Sequence, residues 1–254
     1  MPWTLPTFPA KTYSRNPLEA VVVQLRFDPI LRVREHVVDF QDGIRHRFPK
    51  YEEQVTQSFE ITPFRGVRVR ENLEFRFRTS DKAGTALLST EAVAVETRAH
   101  IERGALLEDF GVVMHALRSA YSPINPLRLG LRYVNVLDRE QISADLGEEL
   151  GWHDLVAGDF IRIPCGLANL DGMAFGSELS GDLDDGRLTL RYAMVSEKDS
   201  APRFRIDLDR SVEGNVDLDR IQDTLMGFAG DIYSVFMSAA GDKLVRWMDE
   251  GENT

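Results

Sequence analysis

Residues 86–137 hold the stretch that decides the fold: ALLSTEAVAVETRA at 86–99, LLEDFGVVMHALRSAY at 106–121 and LRLGLRYVNVL at 127–137. The first run is rich in Thr and Val, which favour extended backbone. In the second run apolar side chains recur with the 3.6-residue period of a helix, at Leu106, Phe110, Val113, Leu117 and Tyr121. In the third run Leu127, Leu129, Leu131 and Tyr133 face one way and Arg128, Gly130 and Arg132 face the other. The stretch therefore predicts a helix packed on a sheet that has one solvated face.

Outward from this stretch, the same two periodicities continue in both directions. Before it, strands are predicted at 18–27, 55–62, 66–70 and 73–80 and a helix at 33–48, so the first half is predicted as β-α-β-β-β-β-α-β. After it come a short helix in 138–150, a hairpin at 175–195 around Asp184-Asp185-Gly186, a strand at 202–208 and one long helix at 218–248. Gly227, Gly230 and Gly241 in that helix either allow close packing or mark a break near Gly241.

These elements predict an α+β fold, a curved antiparallel sheet packed on two or three long helices. We expect an extended proline-rich arm at 1–17, a lobe at 18–137, a connector with a short helix at 138–172 and an acidic lobe at 173–254. The two lobes either stand apart or form one domain.

Composition indicates a protein of the cytoplasm. No apolar run reaches the length of a membrane span, and the first residues, MPWTLPTFPAKTYSRNP, lack the apolar core of a secretory signal. The single cysteine, Cys165, fits a reducing compartment. Of the 30 basic and 41 acidic residues, 19 and 16 fall in 1–137, which leaves 11 and 25 for 138–254. A chain with so acidic a second half is not expected to bind nucleic acid or anionic lipid over its whole surface.

Arginines on the predicted sheet faces are the strongest binding candidates. They lie opposite the apolar face of their strands, and the candidate ligand-binding set is Arg68, Arg70, Arg76, Arg78, Arg132 and Arg191, with Arg26 and Arg205 in the same pattern. Strands that share one sheet would gather them into a surface for phosphate or carboxylate, because guanidinium presents a rigid fork of donors. The alternative is a solvated face on which arginines pair across strands with Glu74, Glu91, Glu96 or Asp207. Nucleic acid is not expected there, since the phenylalanines that would stack on bases point the other way.

Other chemistry finds little support. The sequence has no phosphate-binding glycine loop, dinucleotide fingerprint or serine-hydrolase elbow, and its five histidines show no metal-ligand spacing. The aspartates at 182–185, 207–209 and 217–219 are typical of turns and helix caps. His153-Asp154 is kept as a weak acid/base pair. No metal, no cofactor and no catalytic residue is predicted.

The chain resembles a sporadically distributed bacterial family of conserved hypothetical proteins of about this length. The resemblance rests on NPLEAVVVQLRF at 16–27, FP at 48–49, the central helix followed by LRLGLRYVNVL, and GDKLVRWM at 241–248. Gly130–Asn135 is its most specific part, whereas the histidine expected ahead of Phe236 is absent. The resemblance implies a common architecture and a bacterial source. It implies no activity and transfers no catalytic residue.

Three hypotheses of function follow. The first is a non-catalytic binding or assembly protein of the bacterial cytosol, which engages a protein partner or a small anion through the arginine face or the arm. The second is an enzyme with a site between the lobes, near Arg132, His153 and Glu178. The third is a homodimer built on the C-terminal helix, whose small residues would allow close contact between helices.

Overall fold

The structure, a computed structural model, describes residues 2–62, 66–98, 103–161, 175–196, 200–214 and 216–250, apart from the side chains of 54–62, 66–72 and 103. The strands are β1 (Leu18–Phe27), β2 (Lys50–Thr62), β3 (Gly66–Arg78), β4 (Gly84–Ser89), β5 (Ala92–Thr97), β6 (Pro126–Leu137), β7 (Gly176–Leu183), β8 (Gly186–Val195) and β9 (Arg203–Glu213). The helices include α1 (Val33–Ile44), α2 (Arg103–Tyr121), α3 (Arg139–Leu146), α4 (Trp152–Leu155), α5 (Ile221–Ala239) and α6 (Asp242–Asp249).

Within the described residues, nine strands form one open antiparallel sheet in the order β2-β3-β4-β5-β1-β6-β9-β8-β7. The predicted α+β class and the predicted antiparallel sheet are confirmed. The chain divides into two compact units. Unit A comprises Ala20–Leu131 and Val212–Gln222, and unit B comprises Met1–Glu19, Arg132–Ser211 and Asp223–Thr254. None of the helices in the described part of the chain combines the length and the apolar character that a membrane span requires.

Unit A has the core that the central stretch predicts. The five apolar side chains of α2 from Leu106 to Tyr121 are all buried, as are the alternate side chains of β1, namely Val21, Val23, Leu25 and Phe27. Helix α1 packs against α2 so closely that a Cβ added to Gly43 would lie 2.8 Å from the Cβ of Ala116. The Tyr121 hydroxyl donates to the Val33 carbonyl over 2.8 Å and joins the end of α2 to the start of α1.

The predicted order of elements in the first half is correct, but several of its boundaries are wrong, among them the start of β2, which lies at Lys50 and not at residue 55. The runs 66–70 and 73–80 form one strand, β3, whose pairing with β2 continues through Glu71 and Asn72. In place of the single run predicted at 86–99, residues 84–97 form a hairpin of β4 and β5. Its turn at Thr90 and Glu91 contains no glycine or proline and is held by the Ser89 hydroxyl. Helix α1 ends at Ile44, before the predicted end at 48.

In unit B the first residues lie along the helices and the edge of the sheet. The Trp3 N–H donates to the Asp182 carbonyl of β7 over 2.8 Å, and the Arg15 N–H donates to the Met248 carbonyl of α6 over 3.1 Å. Between them, Tyr233 of α5 donates its hydroxyl to the Pro9 carbonyl over 3.1 Å. The proline-rich segment is thus held by backbone groups of β7 and α6 and by a side chain of α5.

The long C-terminal helix predicted at 218–248 is wrong, because two helices, α5 and α6, meet near Gly241. The Gly241 N–H donates to the Leu155 carbonyl over 2.9 Å, so it does not continue the hydrogen bonds of α5. A Cβ on Gly241 would lie 2.5 Å from the Asp154 carbonyl oxygen. A break at Gly241 was one of the two roles expected for these glycines. Close packing is not the role of Gly227 or Gly230, where an added Cβ would meet nothing within 4 Å.

Candidate functional site

The predicted arginines are divided between the two units. Arg76 and Arg78 lie on β3 in unit A, where Arg76 donates to Glu74 over 2.7 Å and Arg78 pairs with Glu52 of β2 at 3.0 Å. Arg68 and Arg70 lie on the same strand, but their side chains are outside the described part of the structure. Arg26, at the end of β1, is exposed. Each described guanidinium of β3 therefore has a carboxylate partner within unit A.

Unit B brings three of the arginines together around one carboxylate. Asp207 of β9 stands opposite Arg191 of β8 in the register, and Arg191 stands opposite Glu178 of β7. Arg132 of β6 binds Asp207 through both oxygens, with Nε to Oδ1 at 2.7 Å and Nη2 to Oδ2 at 2.6 Å. Basic and acidic side chains thus alternate across four strands. We call this set, with Arg205, the arginine face of unit B.

Asp207 is held by two guanidiniums. Its side chain is only 3% exposed, and Oδ2 also accepts from Nη2 of Arg205 at 3.2 Å. A carboxylate can be buried in this way because charged donors saturate its oxygens. With Arg191 bound to Glu178 at 2.6 Å, the five side chains carry three positive and two negative charges. The arginine face is therefore locally basic within the acidic part of the sequence.

Arg205 is the unsatisfied member of the set. Its Nε is buried and has no hydrogen-bond partner among the described residues, although the side chain as a whole is 39% exposed. On the side of β8 and β7 the residues beside it are small, since Ala193 stands opposite Arg205 and Gly176 stands opposite Ala193. A buried N–H without an acceptor is destabilising by roughly 1–3 kcal/mol. An acceptor is thus missing beside Arg205, on the side where β8 and β7 carry only an alanine and a glycine.

The residues of the enzymatic hypothesis each have a different partner. Arg132 binds Asp207, Glu178 accepts from Arg191, and His153 lies beside Asp154 with Nε2 3.6 Å from Oδ2. Asp154 Oδ2 also accepts the Gly151 N–H at 2.7 Å, so this carboxylate caps α4.

An open cleft of about 760 Å³ adjoins His153, which is 76% exposed. It is lined by Arg139, Glu140, Ser143, Glu149, Leu150, Gly151, His153 and Asp154. No group of three or more His, Cys, Asp or Glu side chains within the described ranges could hold a metal ion.

Sequence reasoning missed a second arginine site, which lies on the opposite, helix-covered face of unit B. Arg210 is fully buried and donates from Nε to Asp231 of α5 at 2.8 Å, from Nη2 to Asp185 and from Nη1 to the Ser211 carbonyl at 2.9 Å. Its guanidinium carbon lies 4.6 Å from the centre of the Phe228 ring. The alternation of β9 could have found it, because Arg210 follows Phe204, Ile206 and Leu208 on the apolar face. The strand predicted at 202–208 stops two residues before Arg210, whereas β9 continues to Glu213.

The chain matches no protein-family model, and a search of the curated proteins finds no match either. The resemblance to the bacterial family therefore stays a prediction.

Proposed function

We propose that this protein is a binding protein that takes up an anionic group, a carboxylate or a phosphate, on the arginine face of unit B. The observation that carries the proposal is the buried Nε–H of Arg205, which has no acceptor among the described residues. Membership of the bacterial family and a place in the bacterial cytosol belong to the same proposal.

The geometry supports an anion as the missing acceptor. Both oxygens of Asp207 already bind Arg132, and Glu178 is bound to Arg191, so the carboxylates of the face are engaged. Arg132, Arg191 and Arg205 remain 41%, 43% and 39% exposed, so a ligand can reach these guanidiniums from solvent. A guanidinium that Asp207 already orients loses little freedom when an anion binds. Fixed donors of this kind bind carboxylate and phosphate through charge-assisted hydrogen bonds.

The shape of the face favours a small group. Ala193 and Gly176 are the small residues beside Arg205, and Arg191 and Glu178 lie on the same face two register positions away. A phosphate or a single carboxylate fits a gap between side chains on a sheet. A stacked base would need an aromatic partner on this face, and the nearby aromatic ring, Tyr192, stacks on Phe204 of the other face.

The test is a titration with inorganic phosphate and, separately, with acetate, followed by NMR of the arginine Nε–H groups. We expect saturable shifts of the Arg205 signal in the wild type. Arg205→Lys keeps the charge but removes the Nε donor, so affinity should fall by roughly 10- to 100-fold, as expected for one charge-assisted hydrogen bond.

Arg187→Lys is the matched control. Arg187 lies on the same face of β8 as Arg191, four residues away. It pairs with Asp182 at 3.3 Å and not with Asp207. This variant should bind as the wild type does. Absence of saturable binding of both anions, or equal affinities of Arg205→Lys and wild type, would contradict the proposal.

A further inference from the structure

The sheet face of unit B that carries Arg205 has almost as many negative as positive charges. On the described strands its arginines are Arg132, Arg187, Arg191, Arg203 and Arg205. Its carboxylates are Glu178, Asp182, Asp207 and Asp209. Five arginines and four carboxylates give this face a net charge of only +1.

Two of these carboxylates lie close to the Nε–H of Arg205 that lacks an acceptor. Oδ2 of Asp207 accepts from Nη2 of the same guanidinium at 3.2 Å, so an anion bound at Nε would lie on the order of 5 Å from this carboxylate. Glu178 follows two residues after Gly176, the β7 residue in line with Arg205, which is about 7 Å along the strand. A ligand on Arg205 therefore meets fixed negative charge as well as positive charge.

A site with so small an excess of positive charge distinguishes anions by their charge. The attraction of a ligand to fixed charges rises in proportion to the charge of the ligand. The free energy needed to remove its water rises with the square of that charge. A dianion thus gains twice the attraction of a monoanion of equal size but loses about four times the hydration free energy. A weakly positive, partly buried site consequently favours the monoanion.

We propose that the anion bound on the arginine face of unit B is a carboxylate, and that the face binds it in preference to a phosphate dianion. Since it names the ligand class of the same site, this inference rests on the proposed function. The five side chains of the face carry three positive and two negative charges, so one carboxylate makes the complex neutral. A phosphate monoester has lost its second proton above about pH 6 and would leave an excess negative charge.

The test compares formate with methyl phosphate at about pH 5 and about pH 7.5, on either side of the second ionisation of a phosphate monoester. Binding is followed by NMR through the backbone amide signals of Ala193 and Gly176, which lie beside Arg205. Formate is singly charged at both pH values, so it reports any change in the protein itself. The affinity for methyl phosphate, relative to that for formate, should fall by about 10-fold at the higher pH.

Glu178→Gln tests the effect of the fixed negative charge. The variant removes one of the two carboxylates near Arg205 and keeps a side-chain oxygen that can accept from Nε of Arg191. Because the face becomes more positive, the affinity for methyl phosphate at about pH 7.5 should rise by roughly threefold more than the affinity for formate.

Asp182→Asn is the matched control. It also removes a carboxylate from the same face of β7, but it lies four residues further along the strand than Glu178. That distance of about 13 Å exceeds the Debye length of about 8 Å at physiological ionic strength. The ratio of the two affinities should therefore stay at its wild-type value.

Small organic acids and the C-termini of peptides both present a carboxylate, and N-acetylglycine distinguishes these two sources. Tighter binding of N-acetylglycine than of formate would identify the end of a peptide as the ligand. Weaker binding would identify a small acid. Both results support a carboxylate.

Three results would overturn the inference and leave the proposed function in place. They are binding of methyl phosphate without binding of formate, an affinity for methyl phosphate relative to formate that does not fall at the higher pH, and a Glu178→Gln variant in which both affinities change by the same factor. Absence of saturable binding of every one of these anions would instead contradict the proposed function itself.

Discussion

The Nε–H of Arg210 donates to the Asp231 carboxylate over 2.8 Å and joins strand β9 to helix α5 inside the core of unit B. The same guanidinium also binds Asp185 in the β7–β8 turn. Arg210 is completely buried, whereas Asp231 and Asp185 are 35% and 77% exposed. One side chain thus ties a strand, a helix and a hairpin turn, and the carboxylates that neutralise it stay in contact with water.

Arg210→Met should lower the free energy of unfolding by about 3 kcal/mol, the lower end for a broken buried pair, because water can still solvate both aspartates. Arg187→Met is the control, since that arginine is 58% exposed and its partner Asp182 is 76% exposed. It should change stability by less than about 1 kcal/mol. Urea unfolding followed by circular dichroism measures both, and similar losses would refute the role given to Arg210.

Gly43→Ala should destabilise unit A by about 1–3 kcal/mol, because the new methyl group would overlap the Cβ of Ala116 where α1 crosses α2. Ala116→Gly opens the space that this methyl group needs. The double variant Gly43→Ala, Ala116→Gly should therefore be more stable than the sum of the single changes predicts, with a coupling of about 1 kcal/mol. Additive effects in chemical denaturation would show that the two residues do not pack against each other.

Glycines of the C-terminal helices should respond in opposite directions to alanine. Gly227→Ala should stabilise the protein by about 0.5–1 kcal/mol, because it lies inside α5 and its Cβ would meet no atom within 4 Å. Gly241→Ala should destabilise it, since the Cβ would lie 2.5 Å from the Asp154 carbonyl oxygen. Thermal unfolding compares the two. A loss of stability in Gly227→Ala would contradict the open environment of that site.

The free energy of unfolding should decrease at low pH, because two carboxylates where α3 meets α6 become protonated. A hydrogen bond from Trp247 holds the pKa of Asp145 below its ordinary value of 3.8. Hydrogen bonds from Lys243 and Arg246 hold the pKa of Glu148 below 4.5. Because these values are lower in the folded than in the unfolded state, the stabilisation is present above about pH 4.5 and is lost as the pH falls through the folded values.

The double variant Asp145→Asn, Glu148→Gln should therefore be less stable than the wild type at pH 7, and the difference should shrink towards pH 3. Urea unfolding at both pH values measures this change. A difference that is the same at pH 3 as at pH 7 would show that the charges of these two carboxylates are not responsible.

The sequence alone was sufficient for the elements whose periodicity is unambiguous. The α2 stripe from Leu106 to Tyr121 and the alternation of β1 were read correctly, because burial of one face requires that spacing whatever the element packs against. The Asp-Gly pair also predicted the turn between β7 and β8. Gly186 adopts a φ of +144° there, a value that favours glycine. These features depend on local geometry.

Only the tertiary structure shows the features that depend on contacts between residues distant in the chain. The helix break at Gly241 arises because its N–H donates to the Leu155 carbonyl and not to a helical carbonyl. The sequence around Gly241 does not indicate which distant residue supplies this acceptor. The hairpin between β4 and β5 has no glycine or proline to mark it. Alternation put Arg205 and Asp207 on the same face of β9, two residues apart. Strand order, by contrast, brought Arg132 of β6 to Asp207. The period of a strand fixes which way a side chain points, whereas its neighbours across the sheet follow from the pairing of strands.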